Sequence, residues 1–144
     1  MYNLKSKSKL RYIATCIINH DIVRVVESIV DTGALYTCYA AKLIDTSLEK
    51  EDFIKNESKI IGGFVYGKNN GVEIYKYGVK QFTIGNVDMG SREIWITFDK
   101  RVEVNVLGMD ILRSVNYLQF DNSDEMVFFS GRDELLDYVT AACK

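Results

Sequence analysis

The sequence has no proline, a single histidine and three cysteines. Without proline, turns must be made by glycine, asparagine and aspartate. His20 alone cannot supply the several imidazoles of a histidine-based zinc site, and we interpret it as a turn residue between two strands. Cys16, Cys38 and Cys143 share no metal-ligand spacing, and their odd number leaves at least one unpaired in a monomer. These scarcities predict a protein without a metal, in a reducing, cytoplasmic environment.

An excess of charge of either sign is also missing, because 18 basic and 20 acidic residues leave a formal net charge of −2. Such a balance does not favour a surface that neutralises phosphates or anionic lipids, so we expect neither nucleic acid nor a membrane as a partner. The basic and apolar start superficially resembles a signal peptide, but residues 19–21 end the apolar run and no cleavage site follows. With 144 residues, of which 47% are hydrophobic, one domain spanning 1–144 is expected.

What the chain does contain is a series of short β-branched and aromatic runs separated by turn residues. Three early runs predict a hairpin and a third short strand: Tyr12–Asn19, Ile22–Val26 and Ser28–Val30. The regular spacing favours a sandwich or a closed barrel over a βαβ sheet. Helical patterns are confined to 45–57, to one or two turns after Gly108, and to a C-terminal tail, 130–144. The fold class is therefore all-β.

A long hairpin is predicted in the middle of the chain, between the runs Lys59–Tyr66 and Val72–Tyr77. The Asn-Gly pair that precedes the second run is a strong hairpin signal. We therefore assign the tip to five residues: Gly67, Lys68, Asn69, Asn70 and Gly71. Gly62–Gly63 is the alternative tip.

The tripeptide Asp31-Thr32-Gly33 has the clearest chemical content. Alone, such a triplet is most often a β-turn. Here it directly follows an apolar strand end, Ile29–Val30, which would hold the carboxylate at the rim of a rigid sheet. Much later in the chain, a second strand end repeats the pattern of two apolar residues and a glycine, followed by an aspartate: Val106, Leu107, Gly108 and Asp110.

Val30-Asp31-Thr32-Gly33-Ala34 with Thr37, the central hairpin, and Val106–Leu112, in that order, resemble the retropepsin-like aspartic proteases of retroviruses and retroelements. The resemblance covers roughly residues 12–129 and implies a small closed barrel with a flap hairpin. It also implies an aspartic endopeptidase that needs no cofactor. The enzyme would be a homodimer whose subunits meet at the Asp-Thr-Gly turns, and it would bind a polypeptide substrate in extended form.

The resemblance implies a role for each residue of the two motifs. Asp31 would be the single catalytic carboxylate of each subunit, and Thr32 would hydrogen-bond to the partner's backbone. Gly33 would let its backbone approach the carboxylates, although a plain turn glycine is the alternative. Ala34 completes the turn. The hairpin would close over the substrate as a flap, and three residues of its first arm would line substrate pockets: Ile61, Phe64 and Tyr66. For Phe64 and Tyr66, packing under the hairpin is the alternative.

The chain also departs from the family. Leu35–Tyr36 stand where many viral members carry acidic residues that contact the substrate backbone, and Met109 stands where many have an arginine that braces the dimer. A helix is expected after Met126–Phe129, where viral members end in an interleaved strand, so either segment is a candidate for holding the dimer. The insert 45–57 has no assigned role. A noncatalytic dimerisation or peptide-binding module of the same fold is the alternative function, and the intact Asp-Thr-Gly favours the enzyme.

Overall fold

The structure is a computed structural model that describes residues 2–7, 10–19, 22–65, 67–85, 87–119, 125–129 and 132–142. These residues form mostly strands with a few short helices, as the sequence predicts. The strands are β1 (Tyr2–Lys7), β2 (Leu10–Asn19), β3 (Ile22–Val30), β4 (Cys38–Ala40), β5 (Ser58–Ile61), β6 (Val72–Val79), β7 (Gln81–Ile84), β8 (Val87–Asp88), β9 (Arg92–Thr97), β10 (Val106–Leu107), β11 (Asn116–Gln119) and β12 (Glu125–Phe129). The helices are α1 (Ala41–Ile44), a 3-10 turn (Lys50–Phe53), α2 (Met109–Leu112) and α3 (Arg132–Ala142).

The first predicted hairpin is present as β2 and β3, which pair antiparallel from Asn19 opposite Ile22 to Arg11 opposite Val30. The third strand expected at Ser28–Val30 is not separate, because β3 runs unbroken to Val30. A serine is tolerated in this strand since the buried Ser28 hydroxyl donates a hydrogen bond to the Tyr39 hydroxyl at 3.0 Å. The hairpin therefore extends as one rigid element to the residue before Asp31.

The strands follow the order β11-β12-β1-β2-β3-β10-β4-β9-β6-β5, and β7 with β8 branches from β2. Most neighbours are antiparallel, whereas β10 runs parallel to β3 and β4 runs parallel to β9. We expected a closed barrel, and the part of the chain that the structure describes forms none. The outer edge of β2 pairs with β1 at one end and with β7 at the other, so the sheet branches there instead of closing on itself.

The buried residues form two hydrophobic clusters, and the main one packs against Val30 at the base of the Asp31 turn. The largest fully buried side chains of the two clusters are Tyr39, Phe82, Ile17, Ile44, Ile74, Ile84, Ile94, Ile96 and Leu107. Burial of each such side chain contributes about 1.5–3 kcal/mol. Leu107 belongs to β10, so the strand end beside Asp31 is anchored in the main core.

The segment 45–57 was expected to hold a short helix begun by a Thr46–Glu49 capping box. The structure has only the 3-10 turn there, and its N-cap, Glu49, makes no side-chain capping bond. Asp45 instead accepts hydrogen bonds from the Ser47 amide and hydroxyl, at 2.9 and 2.8 Å. Such local side-chain bonds compete with helix formation and explain the difference.

The two ends of the chain come together in the sheet. The N-terminal strand β1, which the sequence reasoning did not predict, pairs with β12, and β12 pairs with β11 on its other edge. The following helix α3 exposes Leu136 and Val139. Within the described ranges, no helix has the length and apolar character needed to cross a membrane.

Candidate active site

The Asp31 turn is held at the ends of two neighbouring parallel strands. Val106 lies opposite Ile29 and Leu107 opposite Val30, which aligns the two strand-end motifs found in the sequence. The Asp31 amide donates a hydrogen bond to the Leu107 carbonyl at 3.0 Å. Because both strands are paired on their other edges as well, Asp31 is positioned by the sheet and not by a free loop.

The turn itself is closed by short local bonds. The Gly33 amide donates to Asp31 Oδ1 at 2.8 Å, and the Ala34 amide donates to the Asp31 carbonyl at 3.1 Å. A Cβ on Gly33 would lie 3.2 Å from Asp31 Oδ1, which is closer than an ordinary contact. Asp31, Thr32 and Gly33 are all exposed, so the oriented carboxylate faces open space.

Asp110 supports the turn through hydrogen bonds with Thr37, a fully buried residue, and these bonds are called the brace below. The Thr37 amide donates to both carboxylate oxygens of Asp110, at 2.9 and 3.0 Å, and the Thr37 hydroxyl donates to Oδ1 at 2.6 Å. The Ile111 amide donates to the same Oδ1 at 2.8 Å. The Thr37 oxygen accepts in turn from the Gly108 amide at 2.9 Å. The two motifs are therefore tied by charge-assisted bonds as well as by the sheet.

Gly108 allows the two motifs to lie this close together. A Cβ on Gly108 would lie 2.6 Å from the carbonyl carbon and oxygen of Tyr36 and 3.0 Å from the Ala34 carbonyl oxygen. The next residue, Met109, donates its amide to that same Ala34 oxygen at 2.8 Å. Any side chain at position 108 would push the second motif off the Asp31 turn.

The thiol next to this brace does not offer a nucleophile. Cys38 is buried, and burial raises the pKa of its thiol to about 12, with a further contribution from the charge of Asp110. At neutral pH the thiol therefore stays protonated. Across the described ranges, no group of three or more His, Cys, Asp or Glu side chains is arranged to hold a metal ion.

A cleft of about 650 Å³ opens over the Asp31 turn. Asp31, Gly33 and Ala34 form one side, and the start of the hairpin connection forms another. Its remaining lining is mostly apolar: Ile29, Leu35, Tyr36, Ile61, Gly62, Gly63, Phe64, Val104 and Val106. Leu35 and Val104 are 65% and 40% exposed, so the cleft presents unfilled apolar surface beside the carboxylate.

The hairpin places its two candidate tips in different surroundings. β5 ends at Ile61, opposite Val72, so the predicted strand to Tyr66 is shorter and the connection is 62–71. Ile61 and Phe64 line the cleft together with the alternative tip Gly62–Gly63.

The five residues that the sequence assigned to the hairpin tip lie outside the cleft lining, and the Arg101 side chain holds two of them. Arg101 donates to the carbonyl oxygens of Asn69 and Gly71, at 2.8 and 3.0 Å, and pairs with Asp99 at 2.7 Å. Gly67, Lys68 and Asn70 are exposed and do not line the cleft. The last residue assigned to the hairpin, Tyr66, lies outside the described residues.

The structure thus brings together Asp31, Gly33 and Ala34 with Val106, Leu107, Gly108 and Asp110. Four more residues, which the sequence did not assign to the site, take part around it: Ile29 and Val104 line the cleft, Lys59 bonds to the Tyr36 hydroxyl, and Arg101 holds the hairpin connection outside the cleft. Ile29 had a local signal, since it belongs to the apolar strand end before the turn. The other three depend on loop and hairpin placement, for which no local pattern exists.

A solved structure, the crystal structure of a retropepsin-like aspartic protease from Rickettsia conorii, is similar to this chain with a TM-score of 0.59 and 13% sequence identity. The match covers 88% of each chain. The chain has a retropepsin-like fold. At this identity the likeness extends to the fold alone. By sequence, the chain matches no family model and no curated protein.

Proposed function

We propose that this protein is an aspartic endopeptidase in which Asp31 of two identical subunits activates water for peptide hydrolysis. The observation that carries the proposal is the placement of the Asp31 carboxylate: it is exposed, oriented by the Gly33 amide, and stands in an apolar cleft. The retropepsin-like fold supports the same reading.

The chemistry needs two carboxylates. One ionised carboxylate activates water while a protonated one donates to the carbonyl oxygen of the scissile peptide bond. Two carboxylates about 3 Å apart cannot both ionise, so they share one proton and supply both functions. Each chain carries a single Asp-Thr-Gly turn. A two-fold dimer that brings two such turns together completes the site, and cyclic dimers are the commonest closed assembly.

The dimer contact cannot use free backbone edges of β12. Residues 126–128 of that strand are paired with β1 on one side and with β11 on the other, within the same chain. Within the candidate segment Met126–Phe129, residues 126–128 could therefore pair with a partner strand only if β1 or β11 first left β12. The helix α3 is the other candidate segment, with Leu136 and Val139 exposed.

A polypeptide in the cleft would be bound in extended form. Peptides bind beside strands through main-chain hydrogen bonds, with alternate side chains in pockets. The apolar lining formed by Ile29, Phe64 and Val104 favours apolar residues on either side of the cleaved bond. Residues 61–64 would be the part of the hairpin that lies over such a peptide.

The test is cleavage of casein, with and without the transition-state mimic pepstatin, by the wild type and by Asp31→Asn. We expect the variant to lose at least about a hundredfold in rate, because a general base contributes about 10²–10⁴-fold. Its circular dichroism and mass in solution should match the wild type. Asp52→Asn, a change at an exposed aspartate of the 3-10 turn, is the matched control and should retain full activity. Activity that survives Asp31→Asn would exclude the catalytic assignment.

A mixing experiment tests the requirement for two copies of Asp31. Wild-type protein is equilibrated with a ninefold excess of Asp31→Asn protein. If both carboxylates are needed, activity per wild-type subunit should fall to about one tenth, since random pairing leaves few wild-type dimers. Unchanged activity per wild-type subunit would contradict a shared dyad. A noncatalytic peptide-binding module would instead bind peptides without cleaving them, before and after mixing.

A further inference from the structure

Beside Tyr36 of the cleft lining, a lysine is held against two aromatic rings. Tyr36 lines the cleft and meets Trp95 edge-to-face, with ring centroids 5.5 Å apart. The Lys59 ammonium donates a hydrogen bond to the Tyr36 hydroxyl at 3.2 Å. It also lies 5.2 Å from the Tyr36 ring centroid and 5.8 Å from that of Trp95. These contacts fix the position of the Lys59 ammonium group, although the side chain is exposed.

The geometry of β5 directs Lys59 toward the cleft. Alternate side chains of a strand point to the same face, so Lys59 shares its face with Ile61, which lines the cleft. Ile60 points the other way and is 74% exposed. Lys59 thus extends the wall formed by Ile61 and Tyr36.

A comparison with Lys76 shows that the charge of Lys59 is not neutralised. Lys76 also lies 5.8 Å from the Trp95 ring, but it pairs with Glu57 and Glu93, each at 2.9 Å. In the part of the chain that the structure describes, no carboxylate lies within ion-pair distance of Lys59. The pKa of Glu57 is lowered mainly by its hydrogen bond from Lys76, and the charge of Lys59 adds only a smaller contribution.

We propose that Lys59 and Tyr36 together bind the carboxylate of a Glu or Asp side chain in the polypeptide that occupies the cleft. The Tyr36 hydroxyl accepts from Lys59 and keeps its own proton, so it donates to the same carboxylate as the remaining ammonium protons do. The bound acidic residue lies beside Tyr36, one of the residues that line the cleft. The inference rests on the proposed function in one respect, namely that the occupant is an extended polypeptide.

The experiment uses a cleavable peptide in which Glu or Gln is placed at each position in turn. We expect one or two neighbouring positions where wild-type kcat/KM favours Glu by about threefold to tenfold, the range between an exposed ion pair and a charge-assisted hydrogen bond. The preference should shrink at high salt. Lys59→Gln should abolish the preference, Lys59→Glu should make Lys the favoured residue there, and Tyr36→Phe should lower the preference while keeping the ring. Lys80→Gln, at an exposed lysine outside the cleft lining, should leave it unchanged.

Affinity of the same peptides for Asp31→Asn, measured by fluorescence anisotropy, separates this inference from the proposed function. Tighter binding of the Glu peptide supports the Lys59 assignment even if the wild type cleaves nothing, in which case only the protease proposal fails. Cleavage without a Glu preference at any position overturns the Lys59 assignment alone. A preference that persists in Lys59→Gln, or that Lys80→Gln also removes, overturns it as well. If no peptide binds, both proposals are contradicted.

Discussion

Removing the Asp110 carboxylate should destabilise the protein and misplace Asp31 at the same time. The carboxylate accepts from the Thr37 amide, the Thr37 hydroxyl and the Ile111 amide. In Asp110→Ala these donors lose their acceptor, and Thr37 is fully buried. An orphaned buried donor costs about 1–3 kcal/mol. Because Asp110 is only half-buried, water can replace part of the lost bonding.

We therefore expect Asp110→Ala to lower the free energy of unfolding by about 3 kcal/mol, which is about 6–12 °C in Tm for a chain of this size. The assay is urea unfolding, in which the midpoint should fall while the slope stays constant. Asp110→Asn keeps one acceptor oxygen and should cost less. Asp52→Ala, at an exposed carboxylate, should change stability by no more than about 0.5 kcal/mol.

The effect on activity gives a second readout. Asp31 is connected to the second motif through the Leu107 carbonyl and through Ala34, whose carbonyl accepts from the Met109 amide. Loss of the Asp110 bonds should therefore misplace Asp31 and lower kcat more than it raises KM. Wild-type stability in Asp110→Ala, or equal losses in the Ala and Asn variants, would refute the reasoning. Wild-type stability would mean that the sheet alone holds the turn, whereas equal losses would mean that the charge of Asp110 matters more than its number of acceptor oxygens.

Two further predictions concern the glycine of the second motif and the anchor of the hairpin. Gly108→Ala should cost at least about 3 kcal/mol in urea unfolding, since its Cβ would lie 2.6 Å from backbone atoms, whereas Gly78→Ala meets nothing within 4 Å and should cost less. Equal costs would contradict the steric argument. Arg101→Gln should speed amide exchange in 67–71, whose carbonyls it holds. Hydrogen bonds from Arg101 lower the pKa of Asp99 from 3.8 to about 2. The difference in unfolding free energy between wild type and Arg101→Gln should therefore be largest above pH 4 and shrink as the pH falls toward 2. A difference that stays constant over this range would contradict the prediction.

The local patterns of the sequence predicted most of the strands but not β1 or the 3-10 turn, and the long-range contacts decided how the elements assemble. The β-branched runs on either side of the polar residues 19–21 were sufficient to predict the β2–β3 hairpin. The branch at β2 was not predictable in this way, since it depends on β1 and β7 sharing one strand edge. The barrel expectation failed at that point.

The same division holds in the candidate site. Asp31-Thr32-Gly33 and Gly108 were recognisable because their chemistry is local: a carboxylate after a strand and a glycine at a close approach. The bonds between Thr37 and Asp110 join residues 73 positions apart, and either residue alone is an ordinary polar side chain in its own segment. Lys59 and Arg101 were missed for the same reason, because their partners come from other elements.

The contrast between the two ends of the hairpin connection decides which part could close over a substrate. Arg101 fixes the carbonyls of Asn69 and Gly71, so the later end is tied to the loop before β10. The earlier end holds Gly62 and Gly63, both exposed and without atoms within 4 Å of an added Cβ, and Gly63 has a φ of 98°. An Asn-Gly pair predicts a turn because these residues tolerate the positive φ angles of a tight hairpin. Closure over a substrate has a different requirement, since it needs a segment that faces the carboxylate and has room to move. If the hairpin closes over a peptide as proposed, residues 61–64 beside Asp31 are therefore the part that moves, while the end that Arg101 holds stays in place.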